Sequence, residues 1–177
     1  MRTCRNLAPD GYAAAGPEDA YRFFALSADP SIKEAEAIKG QDNRVDVVLL
    51  SRDGTGAVPG SIVTKVHEAL SPKKTRPLTD NLHVRSASIV EQKISVRLTI
   101  PFGPDRSAVL QKAKASITAY AAARKSLGKK LYRDGISAAA RNGNAVETVE
   151  VVEPSSDIDP GKFGAVHVTD IIVESGE

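Results

Sequence analysis

The spacing of apolar residues changes from helical to extended and back along the first half of the chain. Helical spacing behind a proline predicts a helix over residues 17–28. Two extended runs joined by a polar turn predict a hairpin of strands over residues 32–38 and 44–50. A second helical stripe and a short alternating run predict a further helix and strand. Their apolar positions are Ile62, Val63, Val66, Ala69 and Leu70 on the helix, and Leu82 and Val84 on the strand.

The second half begins with a long alternating run, with apolar residues on one side and polar residues on the other. A single strand over residues 86–100 would be unusually long, so a bulge or bend is expected near Glu91 and Gln92. Asp105 suits the N-cap of a long helix, and Gly128 suits its C-terminal stop. The buried stripe predicted for this helix is Leu110, Ala113, Ile117, Tyr120 and Leu127. A short helix over residues 136–141 and strands over 145–152 and 165–173 complete the pattern.

These elements predict an α+β fold. Short links between many neighbouring strands favour two small units of antiparallel or mixed sheet, each with helices packed on one face. Residues 1–16 carry no regular period and are expected to form a flexible lead-in. The first unit is expected over residues 17–85 and the second over residues 86–177.

Composition narrows the function. The 177 residues include 41% hydrophobic residues, enough to fill two small cores, but only 5% aromatic residues and no Trp. This scarcity argues against a stacking platform for sugars or single-stranded nucleic acid. The 24 basic and 22 acidic residues nearly balance, so no strongly charged partner is implied. A single cysteine, Cys4, excludes an internal disulfide, and no apolar run is long enough to span a membrane.

The sequence shows no convergent catalytic or metal-binding set. His67, His83 and His167 are dispersed over three predicted elements and lack the spacing of metal ligands. Asp157, Asp159 and Asp170 could be imagined as ligands, but residues 155–161 are typical of a solvated hairpin loop. We therefore expect no cofactor and no enzymatic activity.

One loop leaves an alternative open. Its residues follow a predicted strand and precede a helix, which is where phosphate-binding loops occur. The loop lacks the third glycine of a dinucleotide site and the lysine of an ATP site, so a tight turn is favoured. The alternative is a small phosphate- or nucleic-acid-binding module that also uses two basic clusters. The loop is Arg52, Asp53, Gly54, Thr55 and Gly56; the clusters are Lys73, Lys74 and Arg76, and Arg124, Lys125, Lys129, Lys130 and Arg133.

Four segments carry a resemblance to a known family. They are residues 11–28, the run from Val47 through the Arg52 to Gly56 loop, the pentapeptide Arg76-Pro77-Leu78-Thr79-Asp80, and residues 149–158. In this order and spacing they resemble the central and C-terminal segments of the baseplate J-like proteins of contractile-tailed phages. The resemblance covers about residues 11–173 and is weakest over residues 133–144. Family members usually carry a further N-terminal domain, which this sequence is expected to lack.

The resemblance implies a structural subunit, a wedge component that links wedges around the baseplate hub during tail assembly. The partners it implies are other copies of the chain and a tail protein I-like baseplate protein, with a lysozyme-like baseplate protein as a further candidate. It implies neither nucleic acid nor a membrane as a partner. The expected location is the tail baseplate of the virion, after assembly in the cytoplasm of the host bacterium.

The motif pentapeptide also has a local explanation. Pro77 fixes the backbone after a helix, and Arg76 can pair with Asp80 across the turn. We therefore favour loop architecture over direct partner contact for this motif. The polar face of the long helix and the loop from Arg52 to Gly56 are the better candidates for contacting neighbouring subunits.

Overall fold

The structure is a computed structural model that describes residues 18–39, 44–71, 81–103, 105–141 and 145–176. These residues confirm the predicted α+β class, with helices packed on small sheets. The chain divides into two compact units, Met1–Ser88 and Ile89–Glu177. We refer to them as the N-terminal unit and the C-terminal unit.

The N-terminal unit contains a mixed sheet with the strand order β1-β2-β3. The predicted hairpin is confirmed, because β1 and β2 pair in antiparallel orientation. β3 pairs with β2 in parallel, and such a pair needs a crossover, which runs through α2. The elements are α1 (Glu18–Ala28), β1 (Ile32–Lys39), β2 (Arg44–Ser51), α2 (Gly60–Leu70) and β3 (Asn81–Ser86).

β2 is the centre of this unit and is buried on both faces. Val47, Val48, Leu49 and Leu50 are all 0% exposed. Val47 and Leu49 belong to a cluster that α1 and α2 also enter, through residues such as Tyr21 and Val66. A continuous apolar run of this kind is typical of a strand with no solvent face.

The C-terminal unit contains a second three-stranded sheet, ordered β5-β4-β6, with its helices packed on one face. β5 runs antiparallel to β4. The amide of Gly176 donates to the carbonyl of Leu98, and the Thr169 hydroxyl to that of Gln92, so β6 runs parallel to β4. The elements are β4 (Ser88–Thr99), α3 (Arg106–Arg124), α4 (Arg133–Arg141), β5 (Thr148–Glu153) and β6 (Gly164–Ser175).

Three local predictions for this unit are wrong. The extended run is interrupted at Ala87, and its register shift lies between Ser95 and Val96 rather than near Glu91 and Gln92. Residues 155–161 are not a hairpin loop, because β5 and β6 lie on opposite sides of β4. These first two errors share a cause: strand pairing depends on tertiary contacts that local patterns do not encode.

The third error concerns the end of the long helix. Asp105 is the N-cap as predicted, since its carboxylate accepts a hydrogen bond from the Ser107 amide. The helix ends at Arg124, however, so neither Leu127 nor Gly128 belongs to it. Gly128 adopts a φ of 69° in the following turn, where its amide donates to the carbonyl of Gly164 at 2.9 Å. The buried stripe of α3 is Val109, Ala113, Ile117 and Ala121, with Leu110 and Tyr120 partly buried at its edges.

Candidate functional site

The loop from Arg52 to Gly56 forms a closed turn after β2. The Ser51 amide donates to the carbonyl of Gly56 at 2.8 Å, and the Gly56 amide donates back to the carbonyl of Asp53 at 3.2 Å. Gly54 and Gly56 have φ angles of 54° and 104°, a region that favours glycine. The two glycines therefore serve the turn, in agreement with the favoured interpretation of this segment.

Neighbouring segments hold this loop in place. The backbone amide of Arg52 donates to the carbonyl of Ser31 at 2.8 Å, and its Nε donates to the carbonyl of Pro30 at 3.2 Å. On the other side, the Val58 amide donates to the hydroxyl of Ser86 at 2.9 Å. Arg52, Asp53 and Gly54 remain exposed at the tip. The result is a fixed backbone that presents one cation and one carboxylate to solvent.

The backbone amides of the loop are largely engaged within the protein. The Asp53 amide donates to the Ser51 hydroxyl at 3.1 Å, and the Ala57 amide donates to the Thr55 hydroxyl at 3.4 Å. A phosphate-binding loop needs amides that point at the ligand without a partner in the protein. The amides of Asp53, Gly56, Ala57 and Val58 do not meet that requirement.

Asp29 connects the turn before β1 to α2. Its carboxylate accepts hydrogen bonds from the Ser31 hydroxyl at 2.6 Å and the Ser31 amide at 2.9 Å. Its second oxygen lies 2.9 Å from the ammonium of Lys65. The Ser31 hydroxyl, followed by Lys65, holds the pKa of Asp29 well below its usual range. This carboxylate helps to fix the segment against which the Arg52 side chain is bonded.

We expect Asp29→Asn to lower the stability of the N-terminal unit at neutral pH. The pKa of Asp29 is lower in the folded state than the value of about 3.9 in an unfolded chain. Its contribution is therefore fully present above pH ~4 and is lost as the pH falls through the folded-state value. Urea unfolding of both proteins between pH 7 and pH 2.5 tests this, and the difference in midpoint should shrink on acidification. Asp53→Asn is the control, and an equal effect there would contradict the assignment.

Part of the predicted site lies outside the described residues. This holds for the whole pentapeptide Arg76, Pro77, Leu78, Thr79 and Asp80, and for Cys4, Lys73 and Lys74.

The second basic cluster is largely bonded within the C-terminal unit. The Nε of Arg124 donates to the carbonyl of Lys130 at 2.6 Å, and its guanidinium lies 5.3 Å from the ring centroid of Tyr132. An Nη of Arg133 donates to the carbonyl of Val151 at 2.6 Å. Arg124 and Arg133 therefore stabilise the segment after α3 in addition to carrying positive charge.

The loop acids between β5 and β6 are engaged in the same region. Lys130 pairs with Asp159 at 2.8 Å, which raises the pKa of Lys130 and lowers the pKa of Asp159. The carboxylate of Asp157 accepts a hydrogen bond from the Arg133 amide at 2.9 Å. Asp170 lies within β6 instead, where its carboxylate accepts a hydrogen bond from the amide of its neighbour Ile171. Asp157 and Asp159 therefore hold the loop between β5 and β6.

The structure brings no set of metal ligands together in the part of the chain that it describes. Within that part, no group of three or more His, Cys, Asp or Glu side chains could hold an ion. His67 and His83 are exposed, and His167 is half-buried on a different strand. None of the described helices is long and apolar enough to cross a membrane.

Both units match models of one protein family. The baseplate J-like central domain matches residues 13–86, and the baseplate J-like protein C-terminal domain matches residues 93–174. The chain therefore belongs to the baseplate J-like family.

Two individual proteins are also similar to this chain. The chain is 29% identical over 167 residues to baseplate protein J of Escherichia phage P2, covering 94% of this chain and 55% of that protein. It thus spans about half the length of that relative. It also superimposes on a chain in the sixfold-symmetrised cryo-EM structure of the anti-feeding prophage baseplate, with a TM-score of 0.61 and 13% identity. That match covers 94% of this chain and 40% of the other, and it shows a shared fold.

Proposed function

We propose that the chain is a structural subunit of a contractile phage tail baseplate. In this role it is a wedge component that links wedges around the hub during tail assembly, and it is not an enzyme. The observation that carries the proposal is the match of both units, in order, to the central and C-terminal domains of the baseplate J-like family.

The proposed partners are other proteins of the same particle. Copies of the chain, a tail protein I-like baseplate protein and a lysozyme-like baseplate protein are the candidates, with neither nucleic acid nor membrane among them. The sixfold symmetry of the particle that contains the structural neighbour supports contacts between copies. Repeated contacts close into a ring when each interface turns by the right angle. The proposed location is the tail baseplate of the virion, after assembly in the host bacterial cytoplasm.

We assign the loop from Arg52 to Gly56 to an interface with a neighbouring subunit. A contact loop loses less conformational freedom on binding when it is already held rigid. Hydrogen bonds to the segments around Ser31 and Ser86 provide that rigidity here, and the tip exposes Arg52 and Asp53. The pentapeptide from Arg76 to Asp80 is proposed to shape the connection between α2 and β3.

Incorporation into tail particles tests this function. We expect the wild-type chain to co-purify with sheath and tube proteins in particles from cells that carry the gene. We expect Asp53→Arg to reduce the yield of complete particles about tenfold, because reversing one interfacial charge costs on the order of 1.4 kcal/mol. The comparison is electron microscopy of particles from cells complemented with each variant.

Thr64→Glu is the matched control for Asp53→Arg. Thr64 is exposed on α2 and does not belong to the loop, so particle yield should stay at the wild-type level. Circular dichroism of each purified variant separates loss of assembly from loss of folding. Purified particles that lack the wild-type chain would refute the proposed function, and an unchanged yield with Asp53→Arg would refute the assignment of the loop.

A further inference from the structure

In the described part of the C-terminal unit, β6 is an edge strand, because the sheet order is β5-β4-β6. The Gly176 amide donates to the carbonyl of Leu98 on β4, so the backbone groups of residue 176 face the sheet. Backbone groups alternate in direction along a strand, and those of Ile171, Val173 and Ser175 therefore face away from β4. We call this side of β6, over residues 171–175, the outer edge.

The hydrogen bonding of Asp170 supports this direction of the backbone. Its carboxylate accepts a hydrogen bond from the Ile171 amide at 2.8 Å. The apolar positions that pack in the core change from Val166 and Val168 to Ile171 and Val173, which indicates a bulge around Asp170. Bulges and charged side chains are common on edge strands, where they limit uncontrolled pairing. The regular part of the outer edge therefore begins at Ile171.

A groove of about 350 Å³ lies between α3 and the outer edge. Consecutive residues of β6 line it, and their side chains alternate between the two faces of the sheet. The groove therefore opens at the edge of the strand and not on one face of the sheet. Its lining residues are Leu110, Gln111 and Lys114 on α3, and Asp170, Ile171, Ile172 and Val173 on β6.

An edge strand beside a groove of this kind fits an extended polypeptide. The N–H and C=O groups of the outer edge can pair with the backbone of an added strand, and the groove can receive its alternate side chains. Leu110 is partly buried and Ile172 is 40% exposed, so both walls of the groove offer aliphatic surface. The structure therefore favours an occupant with aliphatic residues at every second position.

The helix wall of the groove favours a negatively charged occupant. α3 contains no Asp or Glu, and Lys114 is exposed where it lines the groove. On the opposite wall, the carboxylate of Asp170 already accepts the hydrogen bond from Ile171. A carboxylate on the added strand, next to α3, would therefore form an ion pair with Lys114.

A second copy of the chain offers no suitable strand among the described residues. All six described strands already pair in the two sheets of one chain. The longest stretches outside the described residues, 1–17 and 72–80, contain more basic than acidic side chains. Their charge would oppose Lys114 rather than complement it. These observations favour a segment of a different protein as the occupant.

We propose that the outer edge of β6 and the groove beside it bind an extended, acidic segment of a neighbouring tail protein as a fourth strand of the sheet. The outer edge supplies main-chain hydrogen bonds, the groove receives aliphatic side chains, and Lys114 pairs with a carboxylate. This proposal rests on the proposed function, because it states how the chain binds another protein of the same particle.

Short synthetic peptides test the proposal on the full chain. They overlap and cover the sequences of the other tail proteins encoded with the chain, and fluorescence anisotropy measures their binding. We expect a peptide with alternating acidic and aliphatic residues to bind, and Lys114→Glu to weaken its binding about tenfold. Lys112→Glu is the matched control, because Lys112 is also exposed on α3 but does not line the groove. Its effect should stay within about twofold, since exposed charges at a distance are screened.

Amide hydrogen exchange, measured by NMR on the wild-type chain, tests the binding mode and does not depend on the folding of any variant. The bound peptide should slow exchange of the outward amide of Val173 at least about tenfold, because that amide gains a partner. The amide of Ile172 faces β4, so its exchange should be slow with and without the peptide. Circular dichroism verifies that both lysine variants are folded.

Four results would overturn the proposal. They are the absence of any binding peptide, unchanged exchange at Val173 in a complex, equal losses for Lys114→Glu and Lys112→Glu, or binding only of peptides from this chain itself. The last result would make a second copy the occupant. None of these outcomes bears on the proposed function, which is judged by the presence of the chain in tail particles.

Discussion

Gly164→Ala is expected to destabilise the C-terminal unit by about 3 kcal/mol, at the upper end of the cost of overpacking. Gly164 is buried at the start of β6. A Cβ atom there would lie 2.0 Å from the carbonyl oxygen of Pro160 and 2.8 Å from its carbonyl carbon. These are backbone atoms and cannot rotate away. Urea unfolding gives the loss of stability, and amide hydrogen exchange locates it in the C-terminal unit.

The surrounding turn has little freedom to relax. The Gly164 amide donates to the carbonyl of Gly161 at 3.2 Å, and the Gly164 carbonyl accepts from the amide of Gly128 at 2.9 Å. A shift of the backbone that relieved the clash would break one of these bonds. The control is Gly60→Ala, where a Cβ would meet nothing within 4 Å. That change should be neutral or stabilising by up to about 1 kcal/mol, and equal losses for both variants would rule out the clash as the cause.

The helices and strands predicted for the N-terminal unit are present in the structure, because the hydrophobic patterns that predicted them reflect burial in the folded unit. The continuous run Val47 to Leu50 is apolar because β2 has no solvent face. The sequence could not reveal that β3 pairs with β2 in parallel. The same limit explains the error over residues 155–161, where turn residues mark a bend in the chain but not the strand to which it leads. Strand order is a property of the assembled sheet.

Gly128 shows how a correct local requirement can be placed in the wrong context. A glycine with positive φ is required there, as a helix stop would also need. Its amide bonds to Gly164, which is distant in the sequence, and the helix has already ended at Arg124. The requirement was visible in the sequence, but the partner that explains it was not.

The candidate interface loop also combines a part that the sequence predicts with a part that only the folded unit supplies. Gly54 and Gly56 made the turn after β2 predictable, but the bonds from that turn to Ser31 and Ser86 arise only in the folded unit.

Leu98→Ala is expected to destabilise the C-terminal unit by about 2 to 5 kcal/mol, the range for a buried leucine replaced by alanine. Leu98 is 0% exposed on the central strand β4, and the cavity would open in the middle of the core. This core and the core of the N-terminal unit are separate clusters, so hydrogen exchange at Val47 and Leu49 should change little.

The matched variant is Ile172→Ala, which removes an aliphatic side chain that is 40% exposed in the same sheet. Its stability should fall by about 1 kcal/mol, less than for Leu98→Ala, because a large part of the side chain is already in solvent. A stability loss for Ile172→Ala as large as that for Leu98→Ala would contradict the assignment of Ile172 to the edge of the core.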